Sequence, residues 1–149
     1  MKPFFILLSS FCLALIGTKI FYHNWNVFFA GNLAMAVMLL FTAIGHFVFS
    51  KGMMMMLPDF IPFKKIIVYF SGLIEIVAAI GLLIPLYRYI TSVLLILFFI
   101  CILPANIHAA LKKIDYQKGT YEGSGINYLW FRIPLQIFFI AWVWFFGIK

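Results

Sequence analysis

Tyr69-Phe-Ser-Gly-Leu-Ile-Glu75-Ile-Val-Ala-Ala-Ile-Gly-Leu-Leu-Ile-Pro85 is an apolar run interrupted by one carboxylate near its middle. Extended upstream to Ile66, it is long enough to cross a hydrocarbon core of about 30 Å as a helix. An ionisable group at that depth is costly unless it is paired, protonated or wetted, so Glu75 is expected to face a bundle interior and to act there.

Composition puts the whole chain in the same class. Of 149 residues, 66% are hydrophobic and only 10% charged, and the mean hydropathy is +1.11. Soluble domains are about 45–50% apolar, so these values exclude one. The runs are too long for barrel strands and lack their alternation, which predicts an all-α, polytopic membrane helix bundle in a single domain, 1–149.

Five spans are expected. The first covers 3–22 and is bounded by Lys19, His23 and Asn24. Lys2 before an apolar stretch also fits a secretory signal, but no small-x-small cleavage site stands out near Gly17, and an uncleaved helix is the expectation. The second, Phe28 to Phe49, places Asn32, Met35, Leu39, Thr42 and His46 on one face. The segment 50–65, with its four methionines, reads as interfacial; copper(I) binding by the methionines is the less common alternative. The third span, Ile66 to Leu86, puts Ser71, Glu75, Ala78 and Leu82 on one stripe, and Gly72, Ala79 and Gly81 allow a neighbouring helix to approach closely. The fourth runs from Ile90 to Leu111, where Pro104 is expected to kink the helix or free a carbonyl near Ile100. A soluble loop, 112–125, precedes the fifth span, Ile126 to Gly147, which carries Arg132 and Gln136 one turn apart.

Charge sets the expected orientation. Lys2, Lys51, Lys64, Lys65, Lys112, Lys113 and Lys118 fall on one side, against Lys19, Arg88 and Lys149 on the other. By the positive-inside rule the lysine-rich side is cytoplasmic, which predicts N-in and C-out in a prokaryotic cytoplasmic (inner) membrane. The net charge of +7 is thereby assigned to anionic lipid headgroups rather than to nucleic acid, for which no basic stripe interleaved with stacking residues exists.

Counting inward at about 1.5 Å per residue puts His46 and His108 roughly 5 Å deep, Asn106 roughly 8 Å, Arg132 roughly 9 Å, Glu75 roughly 14 Å and Gln136 roughly 15 Å. Polar groups from four helices converging on one leaflet predict a shared cavity opening to the cytoplasm. The near-equal depths of Glu75 and Gln136 predict that their helices are neighbours.

Several motifs also carry a family resemblance. Gly45-His46-Phe47, Leu57-Pro-Asp59-Phe-Ile-Pro62, Ser71-Gly-Leu-Ile-Glu75-Ile with Gly81-Leu-Leu-Ile-Pro85, Leu103-Pro-Ala-Asn106-Ile and Arg132-Ile-Pro-Leu-Gln136 together resemble the DoxX and DoxX-like family of small membrane proteins. The resemblance covers about residues 28–147. It implies a four-helix core, to which helix one is an addition, and a link to thiosulfate:quinone oxidoreductase, membrane redox complexes or receptor assembly.

Three classes of function remain on this reading. The first is a subunit or accessory protein of a membrane redox or respiratory assembly whose cavity binds a quinone-like amphiphile. Glu75 and His46 would handle protons there, Arg132 and Gln136 would polarise a carbonyl, and Asn106 would contribute to binding. The second is a non-catalytic assembly factor for another membrane protein. The third is a carrier, or a membrane enzyme acting on lipid-like substrates with Glu75 as acid or base. A metal is not expected: among His46, Glu75 and His108 no two lie at i and i+4. Cys12 and Cys101 form no CxxC pair, which argues against thiol exchange.

Overall fold

The computed structural model describes residues 2–149, and it is helical throughout its ordered elements. Helix α1 spans Lys2–Tyr22, α2 Val27–Val48, α3 Ser50–Met56, α4 Lys64–Leu83, α5 Pro85–Leu111 and α6 Ile126–Val143, the last continued by a π-helical turn, Trp144–Ile148. Five of these elements are long and apolar enough to cross a membrane, α6 counting together with its π turn. The remaining one, α3, is the short helix formed by the methionine segment.

Burial is inverted relative to a soluble protein. Asn32, Glu75, Ser92, Asn106 and Gln136 are buried, whereas Leu73, Val77 and Ile80 of α4 and Leu94, Leu97 and Ile100 of α5 are exposed. Apolar side chains lose nothing by facing lipid tails, while polar ones must find partners inside; the pattern is that of a membrane helix bundle.

Helix α2 is the hub, packing on α1, α4, α3, α6 and the π turn. The Asn26 side chain starts it by accepting the Phe29 N–H at 3.0 Å, as an N-cap should. Met35, Met38 and Leu39 of α2 meet Ala78, Ala79 and Leu82 of α4, Leu95 and Phe99 of α5, Phe139 and Val143 of α6, and Leu7 of α1. With lipid outside, such contacts hold helices together by close packing and by hydrogen bonds rather than by water exclusion. Gly72 is where this matters most: a Cβ there would lie 2.9 Å from the His46 Cβ and 3.2 Å from Phe47 Cε2.

Boundaries shift at several places. Helix α4 stops at Leu83 and α5 begins at Pro85, because proline fits the first helical position, where its missing N–H is not needed. This leaves a tighter turn than a start at Ile90 implies. Helix α5 continues through Pro104 without a break. The expected adjacency of the helices bearing Glu75 and Gln136 is not observed: α4 packs on α2, α5 and α3, and α6 packs on α5, α2 and its own π turn. Equal depth fixes a level in the bilayer and leaves the order of helices around the bundle free.

A cavity between α2, α4, α5 and α6 as the candidate functional site

A cavity of about 470 Å³ lies between α2, α4, α5 and α6, with Lys2 and Pro3 of α1, Met53 and Met56 of α3, and Tyr116 and Gln117 of the 112–125 loop around it. Lys2 and Gln117 are exposed and mark its water-facing end. Its inner end is apolar, formed by Met38, Phe99 and Phe139. The volume falls within the ~300–1,000 Å³ typical of small-molecule sites.

His46, Glu75, Asn106, Arg132 and Gln136 all line this cavity. His46 Nδ1 lies 3.1 Å from the Val68 carbonyl oxygen. A carbonyl only accepts, so Nδ1 carries a proton and donates it. The other ring nitrogen, Nε2, is 3.4 Å from Glu75 Oε2. With Nδ1 committed, a proton between these two atoms makes either a carboxylic acid facing a neutral imidazole or a carboxylate facing an imidazolium. The separation exceeds that of a formed charge-assisted hydrogen bond, ~2.7–2.9 Å, and Oε2 is buried without a hydrogen-bond partner. Glu75 is only 4% exposed. His46 of α2 and Glu75 of α4 thus face one another across a distance that a small adjustment would close to a hydrogen bond, on a wall that also carries Asn106, Arg132 and Gln136.

An amide relay forms the wall beside it. Asn106 Nδ2 donates to Gln136 Oε1 at 3.1 Å, and Gln136 Nε2 donates to the Phe99 carbonyl. Pro104 has no N–H for the carbonyl of Ile100. Gln136 therefore reaches across from α6 to the loosened turn of α5, at the residue immediately before Ile100. Asn106 contributes by orienting Gln136 rather than by bonding the disrupted backbone itself.

Arg132 does not pair with Glu75. Its Nη1 donates to the Tyr128 hydroxyl at 2.7 Å, and its guanidinium lies 5.9 Å and 5.5 Å from the ring centres of Tyr116 and Tyr128. These are cation–π distances. Among the described residues no carboxylate lies within ion-pair range of Arg132; the ion pairs are His46 with Glu75 and Asp59 with Lys64 and Lys112. Burial pushes the Tyr116 phenol above its ordinary pKa, so it remains a neutral platform for the guanidinium.

His108 lies outside the cavity although its depth matches that of His46. Its Nδ1 donates to the Met56 carbonyl at 2.9 Å, tying α5 to the end of α3. The methionines have a packing role: Met56 sits with Ala109 and Ile114, flanked by Met53, Met55 and Tyr116. Gly52 of α3 lies directly against the Tyr116 backbone, where a Cβ would collide. Asp59 holds the connection after α3, accepting from Lys64 Nζ at 3.1 Å and Lys112 Nζ at 2.9 Å. The Lys112 hydrogen bond first, and that of Lys64 next, lower its pKa to about 2. Cys12 and Cys101 are exposed on their helices, apart from one another.

Reading the sequence for ionisable groups missed Tyr116 and Tyr128. Tyr128 stands four residues before Arg132, one helical turn away, and that spacing was a usable signal. Tyr116 reaches the site from a loop whose path no helical periodicity predicts.

Residues 35–147 match a family described as a domain of unknown function (DUF8561). No curated protein and no solved structure matches the chain.

Proposed function

This chain belongs to the DUF8561 family, and from the geometry of its cavity we propose that it binds a quinone-like amphiphile as a subunit or accessory protein of a membrane redox assembly. The observation that carries the reading is the His46–Glu75 dyad, with Nε2 and Oε2 3.4 Å apart on the wall of a largely apolar chamber. The residues fit such a group: Phe99, Phe139 and Met38 offer apolar faces to a ring, and Gln136 keeps a second amide N–H for a carbonyl oxygen. When bound, a quinone supplies two-electron chemistry linked to protons. The chain's own contribution is to hold the head group, exclude water from the inner end, and store a proton at Glu75 Oε2 or His46 Nε2. Electrons would come from a redox protein partner. The DoxX-like motifs, which include His46, Glu75, Asn106, Arg132 and Gln136, support placing the protein in such an assembly.

We further propose that the water-facing end of the cavity is cytoplasmic, in a prokaryotic inner membrane, with the C-terminus outside. The lysine asymmetry supports this. A C-terminal reporter that is active only in the cytoplasm would refute the orientation.

The functional reading is tested by mass spectrometry of solvent extracts of the purified protein, together with calorimetric titration of a short-tailed benzoquinone. Wild type should retain or bind quinone, and His46→Phe should lose it. Neither retention nor binding by wild type would refute the proposal.

A further inference from the structure

One cation on the cavity wall, Arg132, has no carboxylate within ion-pair range among the described residues. Glu75 is the one carboxylate on the wall and lies within ion-pair range of His46, not of Arg132, so Arg132 lines the same space without a carboxylate partner. A guanidinium reaching for bulk lipid phosphates would lie on the lipid-facing surface. Arg132 instead sits half-buried, fixed by the Tyr128 hydroxyl and against the Tyr116 ring of the covering loop. That hydrogen bond uses one N–H, and the fork keeps others of the kind that match an oxyanion. An unpaired charge at membrane depth is costly, and the cost disappears when an anion sits against it.

We propose that Arg132, Tyr128 and Lys2 form an oxyanion site for the carboxylate or phosphate head of an acidic amphiphile whose chain runs inward along Met38, Phe99 and Phe139. Lys2, exposed at the water-facing end, adds attraction at the entry. Arg132 lies one helical turn outward of Gln136, about 6 Å along the axis. An oxyanion held there stops short of the amide relay and leaves the chain to occupy the apolar end. The inference shares with the quinone reading that the cavity takes an amphiphile, and differs from it in assigning that amphiphile a negatively charged head.

The full-length protein in an uncharged detergent is titrated with oleate, lysophosphatidate, neutral monoolein, inorganic phosphate and a short-tailed benzoquinone, with calorimetry and ligand-induced thermal stabilisation as readouts. Oleate, lysophosphatidate or both should bind and stabilise the wild type, and more strongly than monoolein. Arg132→Gln should weaken that binding about tenfold or more, the equivalent of one hydrogen bond to a charged group. Should Arg132→Gln fail to fold, Tyr128→Phe reads the same site, since it keeps the ring and removes the hydroxyl that orients the guanidinium. A loss of about threefold is expected from that variant. Equal binding of monoolein and oleate would overturn the proposal, as would binding of inorganic phosphate without preference for the chain-bearing acids. Benzoquinone binding without acid binding would refute this inference and leave the quinone reading standing. Acid binding without benzoquinone binding would do the reverse.

Discussion

Substituting Glu75 by glutamine separates the proton from the packing. Because His46 Nδ1 donates to the Val68 carbonyl, the neutral ring presents a lone pair at Nε2, 3.4 Å from Glu75 Oε2. A glutamine amide in the same place has nearly the same volume and donates to that lone pair. The structural change is one exchanged hydrogen bond, about 1 kcal/mol or less. Glu75→Ala instead empties a site only 4% exposed and leaves His46 Nε2 without a partner, a truncation that costs about 2–5 kcal/mol. At about 2–4 °C per kcal/mol for a chain of this size, Glu75→Gln should melt within about 4 °C of wild type and Glu75→Ala about 4–20 °C lower. The amide carries no exchangeable acid, so proton exchange on ligand binding, followed with a pH indicator in weak buffer, should vanish in both variants. Full function of Glu75→Gln in a complementation assay would refute the proton role. A glutamine variant as unstable as the alanine one would show instead that the carboxylate is needed to hold the bundle together.

Gly72→Ala should destabilise the protein by about 1–3 kcal/mol by overpacking, since its Cβ would stand 2.9 Å from His46 Cβ; it should also separate His46 from Glu75, seen as a shifted His46 imidazole signal by NMR. An unchanged melting point and signal would show that α2 and α4 yield freely there. Gln136→Leu leaves the Asn106 amide and the Phe99 carbonyl without their α6 partner and should cost about 1–3 kcal/mol. In a double-mutant cycle with Asn106→Leu, a coupling of about 0.6 kcal/mol or more is expected for a membrane pair, and zero coupling would dissolve the relay. Asp59 has its pKa lowered to about 2 by Lys112 and Lys64, so its anchoring is complete above the ordinary aspartate range and is lost as pH falls toward 2. Backbone amide exchange in 57–63 should therefore accelerate between about pH 4 and pH 2 after correction for intrinsic rates. Asp59→Asn should show the faster exchange already at pH 4.

The number of spans was legible because each announces itself by length and hydropathy, and the polar residues expected to share a cavity, His46, Glu75, Asn106, Arg132 and Gln136, do line one. Rotation about each helix was not legible. His46 and His108 share a depth, yet one faces the cavity and the other bonds the Met56 carbonyl; a shift of one residue turns a side chain by about 100°. Neighbour relations were equally hidden, which is why Glu75 and Gln136 line a common space from helices that do not pack together. Arg132 was singled out by its charge, and Tyr128 stands one helical turn from it, but Tyr116 reaches it through a loop fold set by contacts such as Gly52 against Tyr116. Tertiary packing determines such a path, and no local periodicity encodes it.

The bond from Gln136 to the Phe99 carbonyl has a consequence for how the chain is made. Synthesis delivers α5 before α6, with the 112–125 loop between them. Until α6 arrives, the Asn106 amide and the turn opened by Pro104 enter hydrocarbon without the partner they have in the finished protein, a state that lipid cannot relieve. The two segments should therefore wait at the insertion machinery and partition laterally as a hairpin. A ribosome-bound nascent chain arrested between them should still crosslink to the translocon through α5, and release into lipid should follow once Gln136 has emerged.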